Sequence, residues 1–306
     1  MKAVFRSLQS HRSGALVRGR FSSHETAVKG FGAHNADIYS KSRPSYSSET
    51  IKQCCGIIGA YTKVNNKADG LNLVELGAGT GKFTESFFNY EQVLNRGKKN
   101  TYVACDQSQA FLEKIDVKST QNPLTIDIIV ASSNNLPLKS NSADCILIAQ
   151  AFHWMASLDS VIEMSRILKP DAPLLLIWNA FDESIDWILQ VENVLTTYYK
   201  RESQRIDQFI PRYRDHVWQN IFSNETVVKH FKLPLRKYTS HQVVPSTRQD
   251  ILDRLASTSV ISVLPENERH IFFSKINEIL DNHEQTRGKT TYDLRYTTDV
   301  YYVNKA

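Results

Sequence analysis

Residues 74–84 read Val-Glu-Leu-Gly-Ala-Gly-Thr-Gly-Lys-Phe-Thr. The apolar residues 71–76 predict a short strand, the glycines after it a sharp turn, and the residues from about Lys82 onward a helix. Glycine tolerates the positive φ angles of such a turn and places no Cβ where a ligand approaches the backbone. The free N–H groups at the start of the helix then face that ligand. The stretch therefore predicts a site for a nucleotide-like cofactor at the carboxyl end of the first strand.

The spacing of the glycines narrows the kind of cofactor. Gly77, Gly79 and Gly81 form G-x-G-x-G, whereas dinucleotide-binding turns have G-x-G-x-x-G, so a nicotinamide oxidoreductase is the less favoured alternative. Glu75 ends the strand, and a carboxylate there repels a pyrophosphate but accepts a hydrogen bond from an ammonium group. S-adenosylmethionine (SAM) carries an α-amino group, a sulfonium and no phosphate. The stretch resembles motif I of the class I SAM-dependent methyltransferases.

Strand and helix patterns alternate along the chain, which predicts a parallel sheet with helices on both faces. Residues 182–223 are helix-prone and predict a helical cap over about 182–230. The resemblance implies a Rossmann-like α/β fold with seven strands, mostly parallel, and a reversed last hairpin. The predicted strands are 71–76, 101–105, 124–130, 143–149, 174–178, 232–244 and 289–303. The predicted helices are 49–61, 108–117, 157–168, 247–257 and 265–283, besides the one starting near residue 82.

Two further segments are expected to contact SAM. Asp106 ends the second strand, 25 residues after Gly81, where an acid accepts hydrogen bonds from a ribose diol. Residues 131–137, Ala-Ser-Ser-Asn-Asn-Leu-Pro, resemble the G-D-A-x-x-L-P segment that lines the adenine in this family. Ser132 stands at the Asp position, and Ser133 follows it. A hydroxyl is a weaker hydrogen-bond acceptor than a carboxylate. This departure from the family pattern therefore lowers the expected affinity for SAM, but SAM remains the expected cofactor.

Residues 149–154, Ala-Gln-Ala-Phe-His-Trp, stand at the end of the fourth strand. They resemble the A-x-x-x-H-W signature of a branch of small-molecule methyltransferases that includes trans-aconitate methyltransferase. The resemblance places Gln150 against the cofactor, and His153 and Trp154 beside the acceptor and the transferred methyl group. Trp154 can offer a π face to the sulfonium. The alternative is that both aromatic side chains belong to the core.

A third segment lies upstream and resembles the aromatic-then-Y-x-x-x-R-P-x-Y pattern that begins the same branch. Tyr39 is expected to close over the cofactor, and Arg43 to pair with a carboxylate of SAM or of the substrate. The alternative for Arg43 is a solvated charge at a helix stop. The resemblance covers about residues 28–303. Its residues here are Phe31, Ala36, Tyr39, Arg43, Pro44 and Tyr46.

The resemblance implies SAM-dependent methyl transfer to a small molecule, such as an organic acid, at a carboxylate or hydroxyl oxygen. A carboxylate needs no base, and Arg43, Arg212 or Arg214 can hold it. A hydroxyl needs a base, for which His153 is the candidate catalytic residue. A weakly active or inactive methyltransferase-like SAM-binding protein, acting as a mitochondrial assembly factor, is the alternative from another class.

The net charge of +5 comes from residues 1–24, which carry five basic residues and no acid. The neutral remainder argues against a nucleic-acid partner. An Arg- and Ser-rich, acid-free segment is typical of a mitochondrial transit peptide, so we expect a matrix enzyme formed by residues 25–306. The alternative is that residues 1–24 form a tail without a targeting function on a cytoplasmic enzyme.

Four cysteines occur without C-x-x-C pairing and without histidines at metal-ligand spacing. This composition argues against a zinc site and against a disulfide framework, and no metal is expected. The longest apolar runs, 145–152 and 174–178, are too short to span a bilayer.

Overall fold

The computed structural model of the chain describes residues 40–65, 70–90, 100–115 and 125–306. Seven strands form one sheet in the order β3-β2-β1-β4-β5-β7-β6. Strands β1 to β5 are parallel, and β7 runs antiparallel to both β5 and β6. The strands are β1 Asn72–Leu76, β2 Thr101–Asp106, β3 Thr125–Val130, β4 Cys145–Ala149, β5 Pro173–Phe181, β6 Arg236–Thr247 and β7 Thr291–Asn304. The predicted Rossmann-like, mostly parallel sheet with a reversed last strand is confirmed.

Helices cover both faces of the sheet because the central strands are apolar on both sides. In β5, Leu174, Leu176 and Trp178 pack on one face, and Leu175 and Ile177 on the other. Such double burial is what near-continuous apolar runs in parallel strands predict. The helices are α1 Ser48–Val64, α2 Lys82–Phe88, α3 Gln109–Leu112, α4 Phe152–Met155, α5 Leu158–Ile167, α6 Asp186–Arg205, α7 Arg248–Ala256, α8 Ser259–Ser262 and α9 Glu266–Asn282.

Side-chain caps fix several of these helix starts. Ser47 Oγ accepts a hydrogen bond from the Thr50 N–H at the start of α1. Thr247 and Asp250 form a capping box at the start of α7, in which each side chain accepts from the other's backbone N–H. Helix α3 is much shorter than the predicted 108–117, whose last two residues lie outside the described ones.

The predicted cap divides between two cores. Helix α6 packs with α7, α8, α9 and the first half of β7 in a third apolar cluster, which lies beyond the carboxyl end of β5 at Phe181. The short 3₁₀ turn Val217–Ser223 instead packs against the sheet, where Trp218 lies 4.5 Å from Trp178 between ring centroids. The helical layer above the carboxyl ends of the strands is therefore built from residues on both sides of β6.

Candidate functional site

The glycine turn follows β1 with the backbone that its sequence requires. Gly77, Gly79 and Gly81 have φ angles of +69°, +56° and +86°. A Cβ added at Gly77 would lie 2.5 Å from the Cβ of Ala151, and one at Gly81 would lie 2.9 Å from Cγ1 of Ile115. The first and third glycines are thus needed for packing against other parts of the chain as well as for the turn itself.

Glu75 is buried beneath this turn. Its Oε2 accepts hydrogen bonds from Thr84 Oγ1 at 2.5 Å and from the Tyr102 hydroxyl at 2.7 Å. Burial raises the pKa of Glu75 to about 7, although both hydrogen bonds oppose the rise. A carboxyl group so placed changes charge near neutral pH, and two donors from α2 and β2 fix its orientation.

Asp106 lies beside the same turn, at the end of β2. Its Oδ2 accepts from the Gly79 N–H at 2.9 Å and its Oδ1 from the Ser108 N–H at 2.8 Å. Burial raises the pKa of Asp106, and these backbone donors partly offset the rise. Each carboxylate oxygen accepts more than one hydrogen bond, so the group can still receive hydroxyl donors from a ligand.

A cavity opens on the turn, which we call the glycine-turn cavity; Glu75, Gly77, Gly79, Thr80, Lys82 and Gln150 are among the residues that line it. The hydroxyl of Thr80 is buried within it and has no hydrogen-bond partner in the described part of the chain. A buried hydroxyl without a partner is costly, so a polar ligand group is the natural partner for it. A buried acid, an orphaned hydroxyl and a glycine turn together fit the amino acid part of SAM.

A second cavity, which we call the cap cavity, lies between α4, β5, α6 and the start of α8 and has a volume of about 110 Å³. Its walls include His153, Trp154, Glu192, Tyr199, Arg212 and Arg214. Four residues line both cavities and mark where they meet: Arg43, Gln150, Asn179 and Arg254.

Gln150 and Asn179 form the junction between the cavities. Gln150 has a φ of +60°, which is rare for a residue with a side chain, and its Nε2 donates to the Asn179 carbonyl at 2.6 Å. Asn179 in turn accepts from Thr298 Oγ1 and donates to the Ser45 carbonyl at 3.4 Å. Strained backbone of this kind concentrates at functional sites.

His153 lies in α4 and lines the cap cavity. Its Nδ1 accepts a hydrogen bond of 3.2 Å from the indole Nε1 of Trp178. An imidazole that accepts at Nδ1 carries its proton on Nε2, so the ring is a neutral donor at that atom. Burial, with Arg43 and Arg212 nearby, lowers the pKa of His153 to about 3.

Arginine side chains converge on the cap cavity from three parts of the chain. Nη2 of Arg43 donates to the Ser257 carbonyl at 2.9 Å. Arg212 pairs with Glu192, which is buried, and stacks on the Tyr199 ring, while Arg214 pairs with Glu183 at 2.9 Å. The positive charge of the cavity is therefore only partly balanced by its own acids.

Several predicted site residues lie elsewhere or are already engaged. The hydroxyl of Ser133 bonds to Ser160 Oγ at 2.9 Å, which ties it to the start of α5. Ser132 pairs through its backbone with Asn135. Trp154 lines the cap cavity, but it also packs against the apolar cluster of the helical layer. Tyr39 lies outside the described residues.

The remaining composition-based expectations concern metals, thiols and membranes. Within the described ranges, no group of three or more His, Cys, Asp or Glu side chains is placed to hold a metal ion. All four cysteines are free thiols, and three of them are buried. Across the same ranges, no helix combines the length and the apolarity that a membrane span requires.

Sequence reasoning missed Asn179, Thr80 and Arg254. Asn179 directly follows the predicted fifth strand, and polar residues at the carboxyl ends of parallel strands meet at one edge, so its position was a usable signal. Arg254 stands beside Leu255 and three residues after Ile251, on the apolar face of its helix, where a charge is out of place.

Comparison with known proteins agrees with this geometry. Residues 74–176 match the family model described as a methyltransferase domain. An uncharacterized methyltransferase-like protein of Schizosaccharomyces pombe is 27% identical over 75% of this chain and 80% of its own. An uncharacterized methyltransferase of Mycobacterium tuberculosis is 26% identical over 85% of this chain and 89% of its own. A solved structure from Anaeromyxobacter dehalogenans, provisionally assigned as a type II methyltransferase, covers 86% of this chain and 97% of its own at 18% identity with a TM-score of 0.52, and so shares the fold.

Proposed function

Because the chain is a methyltransferase, we propose that it uses SAM to methylate a small acceptor that carries a carboxylate. The observation that carries the proposal is the cap cavity, which is lined by arginines. It opens beside the glycine turn, and Gln150 and Asn179 line both it and the glycine-turn cavity. When bound, SAM supplies a methyl group already activated on a sulfonium. The task left to the protein is to hold, align and dehydrate the acceptor.

The residues of the glycine-turn cavity are suited to SAM. Glu75 can accept a hydrogen bond from the ammonium group of SAM, and the Thr80 hydroxyl can bond to a polar group of its amino acid part. Asp106, which lies beside the turn and accepts from the Gly79 N–H, can receive the ribose hydroxyls. Ser132 remains the residue proposed at the adenine. The hydroxyl of Ser133 is shared with Ser160, so its part in cofactor binding is secondary.

The state of His153 favours a carboxylate over a hydroxyl acceptor. Methylation of a hydroxyl requires a base, and a histidine with a pKa of about 3, whose Nδ1 already accepts from Trp178, is a poor one. The same ring is a good donor at Nε2. We therefore assign His153 to orienting an acceptor oxygen, and Arg43 to balancing its negative charge.

The test is a methyl-transfer assay with the full-length protein, SAM, and pairs of small acceptors that differ only in carrying a carboxylate or an alcohol. S-adenosylhomocysteine should form with acids and not with the matched alcohols. His153→Asn keeps a side-chain donor, so most turnover of an acid should survive. Preferred turnover of alcohols, abolished in His153→Asn, would contradict the proposal.

If folded protein binds SAM but transfers methyl to none of these acceptors, the assembly-factor alternative becomes the better explanation. That reading predicts a stable protein partner, which affinity purification from mitochondria would identify. A monomeric protein with acid-dependent turnover would rule it out.

We also propose that residues 1–24 direct the protein to mitochondria, on the basis of their five basic residues and absence of acids. Residues 1–24 fused to a fluorescent protein should locate to mitochondria. A matched fusion with those basic residues replaced by Gln should stay in the cytosol. Identical cytosolic signals from both fusions would contradict this address.

A further inference from the structure

Arg254 is a buried cation in the helical layer. Its side chain lies on the inner face of α7 with Ile251 and Leu255, and the residue is only 8% exposed. Removing a guanidinium from water is costly unless a nearby anion compensates the charge. Arg254 therefore needs either an acidic partner within the fold or an anionic ligand.

Among the residues that the structure describes, the partners of Arg254 are neutral. Its Nη1 makes a long 3.5 Å contact with Thr258 Oγ1, and the Tyr296 hydroxyl also interacts with the guanidinium. The guanidinium carbon lies 5.1 Å from the centroid of the Phe181 ring. The Nε is buried and has no hydrogen-bond partner, and no carboxylate of residues 40–65, 70–90, 100–115 or 125–306 forms an ion pair with Arg254.

Two other arginines of the cap cavity, Arg212 and Arg214, differ in this respect. Arg212 pairs with the buried Glu192, and Arg214 lies 3.6 Å from the same carboxylate besides pairing with Glu183. Their charges are compensated inside the protein. The charge of Arg254 is not compensated by any acid in the described part of the chain, although it lies in the same wall.

The position of Arg254 between the two cavities indicates which ligand its guanidinium would contact. It lines both cavities, so it stands where an acceptor would approach the glycine turn. Each cavity also has lining cations of its own, Lys82 in the glycine-turn cavity and the acid-paired Arg212 and Arg214 in the cap cavity. The contacts of Arg254 with Phe181 and Thr258 are with walls of the cap cavity.

We propose that Arg254 binds a carboxylate of the methyl acceptor and thereby makes the site selective for anionic acceptors. The inference rests on the proposed function and adds the residue that would confer its specificity. A planar guanidinium presents Nε and an adjacent Nη as a fork that matches the two oxygens of a carboxylate. The orphaned Nε thus gains an acceptor only when an anionic ligand is bound.

The experiment titrates acetate and succinate, as probe carboxylates, into the full-length protein and into Arg254→Met, which keeps the length of the side chain without its charge. Binding is measured by calorimetry and by the rise in Tm. Wild type should bind both probes, and Arg254→Met should bind them at least about tenfold more weakly. Succinamide, the uncharged analogue of succinate, should bind neither protein.

The ligand-free stability separates binding from a structural role. Arg254→Met removes an uncompensated buried charge, so its Tm without ligand should equal or exceed that of the wild type. Arg254→Lys keeps the charge but loses the fork, and its probe affinity should fall between the other two. Arg248→Met is the matched control: it lies on the same helix, pairs with Asp281 and lines neither cavity, and it should bind the probes as the wild type does.

Several results would overturn the inference. These are a wild type that binds neither probe, an Arg254→Met variant that binds them equally well, or one whose Tm without ligand falls by several degrees. SAM affinity should be equal in wild type and Arg254→Met; a loss of SAM affinity alone would assign the guanidinium to the cofactor's carboxylate instead. The probe titrations contain no SAM, so a protein that binds the probes through Arg254 but never binds SAM would refute only the proposed function.

Discussion

The indole Nε1 of Trp178 donates to Nδ1 of His153 across 3.2 Å, and this bond fixes the imidazole as a neutral donor at Nε2. The sheet brings the two side chains together: β4 and β5 are neighbouring strands, Trp178 lies near the end of β5, and His153 lies just after β4. Two adjacent strand ends thus set the protonation of the ring that faces the cap cavity.

The burial of His153 has a measurable consequence for acid stability. Its pKa is about 3 in the folded protein against an ordinary 6.5, so below about pH 6.5 the unfolded chain binds a proton that the folded protein does not. Stability is therefore lost as the pH falls from about 6.5 toward 3, by about 2 kcal/mol at pH 5 from this residue alone.

His153→Gln removes the titration, so its Tm should fall less than that of the wild type between about pH 7 and pH 5. The measurement is a pair of thermal melts across that range. Parallel curves for the two proteins would mean that His153 is not buried as a neutral ring.

Glu75 predicts a pH dependence of SAM binding. Its pKa of about 7 means that the carboxylate, the form that pairs with an ammonium group, becomes populated as the pH rises through neutrality. SAM affinity of the wild type should therefore increase from about pH 6 to about pH 7.5. Glu75→Gln keeps the shape without the charge, so its affinity should be lower and nearly constant across this range. Calorimetric titrations at several pH values measure both; equal slopes for the two proteins would refute the role.

The raised pKa of Glu75 has the opposite effect on the stability of the ligand-free protein, which should fall as the pH rises. The raised pKa means that the folded protein holds the proton of Glu75 between about pH 4.5 and pH 7, where the unfolded chain has lost it. This contribution to stability is complete at low pH and is lost as the pH rises through about 7. Glu75→Gln should lack that loss in thermal melts.

Three glycines lie in different environments, so their replacement by Ala should change the stability of the protein in three different ways. Gly77→Ala places a Cβ 2.5 Å from that of Ala151 at positive φ, and should destabilise by more than about 2 kcal/mol. Gly288→Ala meets no atom but keeps a φ of +75°, so it should cost about 1 kcal/mol. Gly56→Ala, in α1 with open space around it, should stabilise by about 0.8 kcal/mol. Urea unfolding of the three variants gives the order, and equal effects would contradict the geometry of the turn.

Thr80 offers a test of the glycine-turn cavity that does not depend on the acceptor. Its hydroxyl has no partner in the described structure, so Thr80→Val should leave the ligand-free Tm unchanged or slightly higher. SAM affinity should fall by about threefold to tenfold, the value of one hydrogen bond.

Thr84→Val is the matched control. It removes the donor that reaches the buried Glu75, and it should destabilise the protein by about 1–3 kcal/mol. A Thr80→Val variant that loses stability but keeps full SAM affinity would contradict the role given to Thr80.

The central strands of the sheet were predictable because they are mainly apolar, and the ends of β1 and β2 because a glycine turn and an acidic residue follow or end them. The turn after β1 and the reversed strand β7 were read from local patterns. The motif at residues 149–154 placed Gln150 against the cofactor, and Gln150 does line the glycine-turn cavity. Its neighbours at the junction, Asn179 and Arg254, were not predicted, since they are far away in sequence and meet Gln150 only through strand order and helix packing. The division of residues 182–230 between two cores was also not predictable from the sequence. It depends on the packing of Trp218 on Trp178, a contact between residues that no local sequence pattern relates.

The most direct test of SAM-dependent function is calorimetric binding of SAM to the full-length protein, with NAD as the control ligand and Asp106→Ala as the control variant. SAM should bind saturably, NAD should not bind, and Asp106→Ala should lose at least about tenfold in affinity for SAM. A folded wild-type protein that does not bind SAM, or that binds NAD more tightly, would contradict the assignment of SAM as the cofactor.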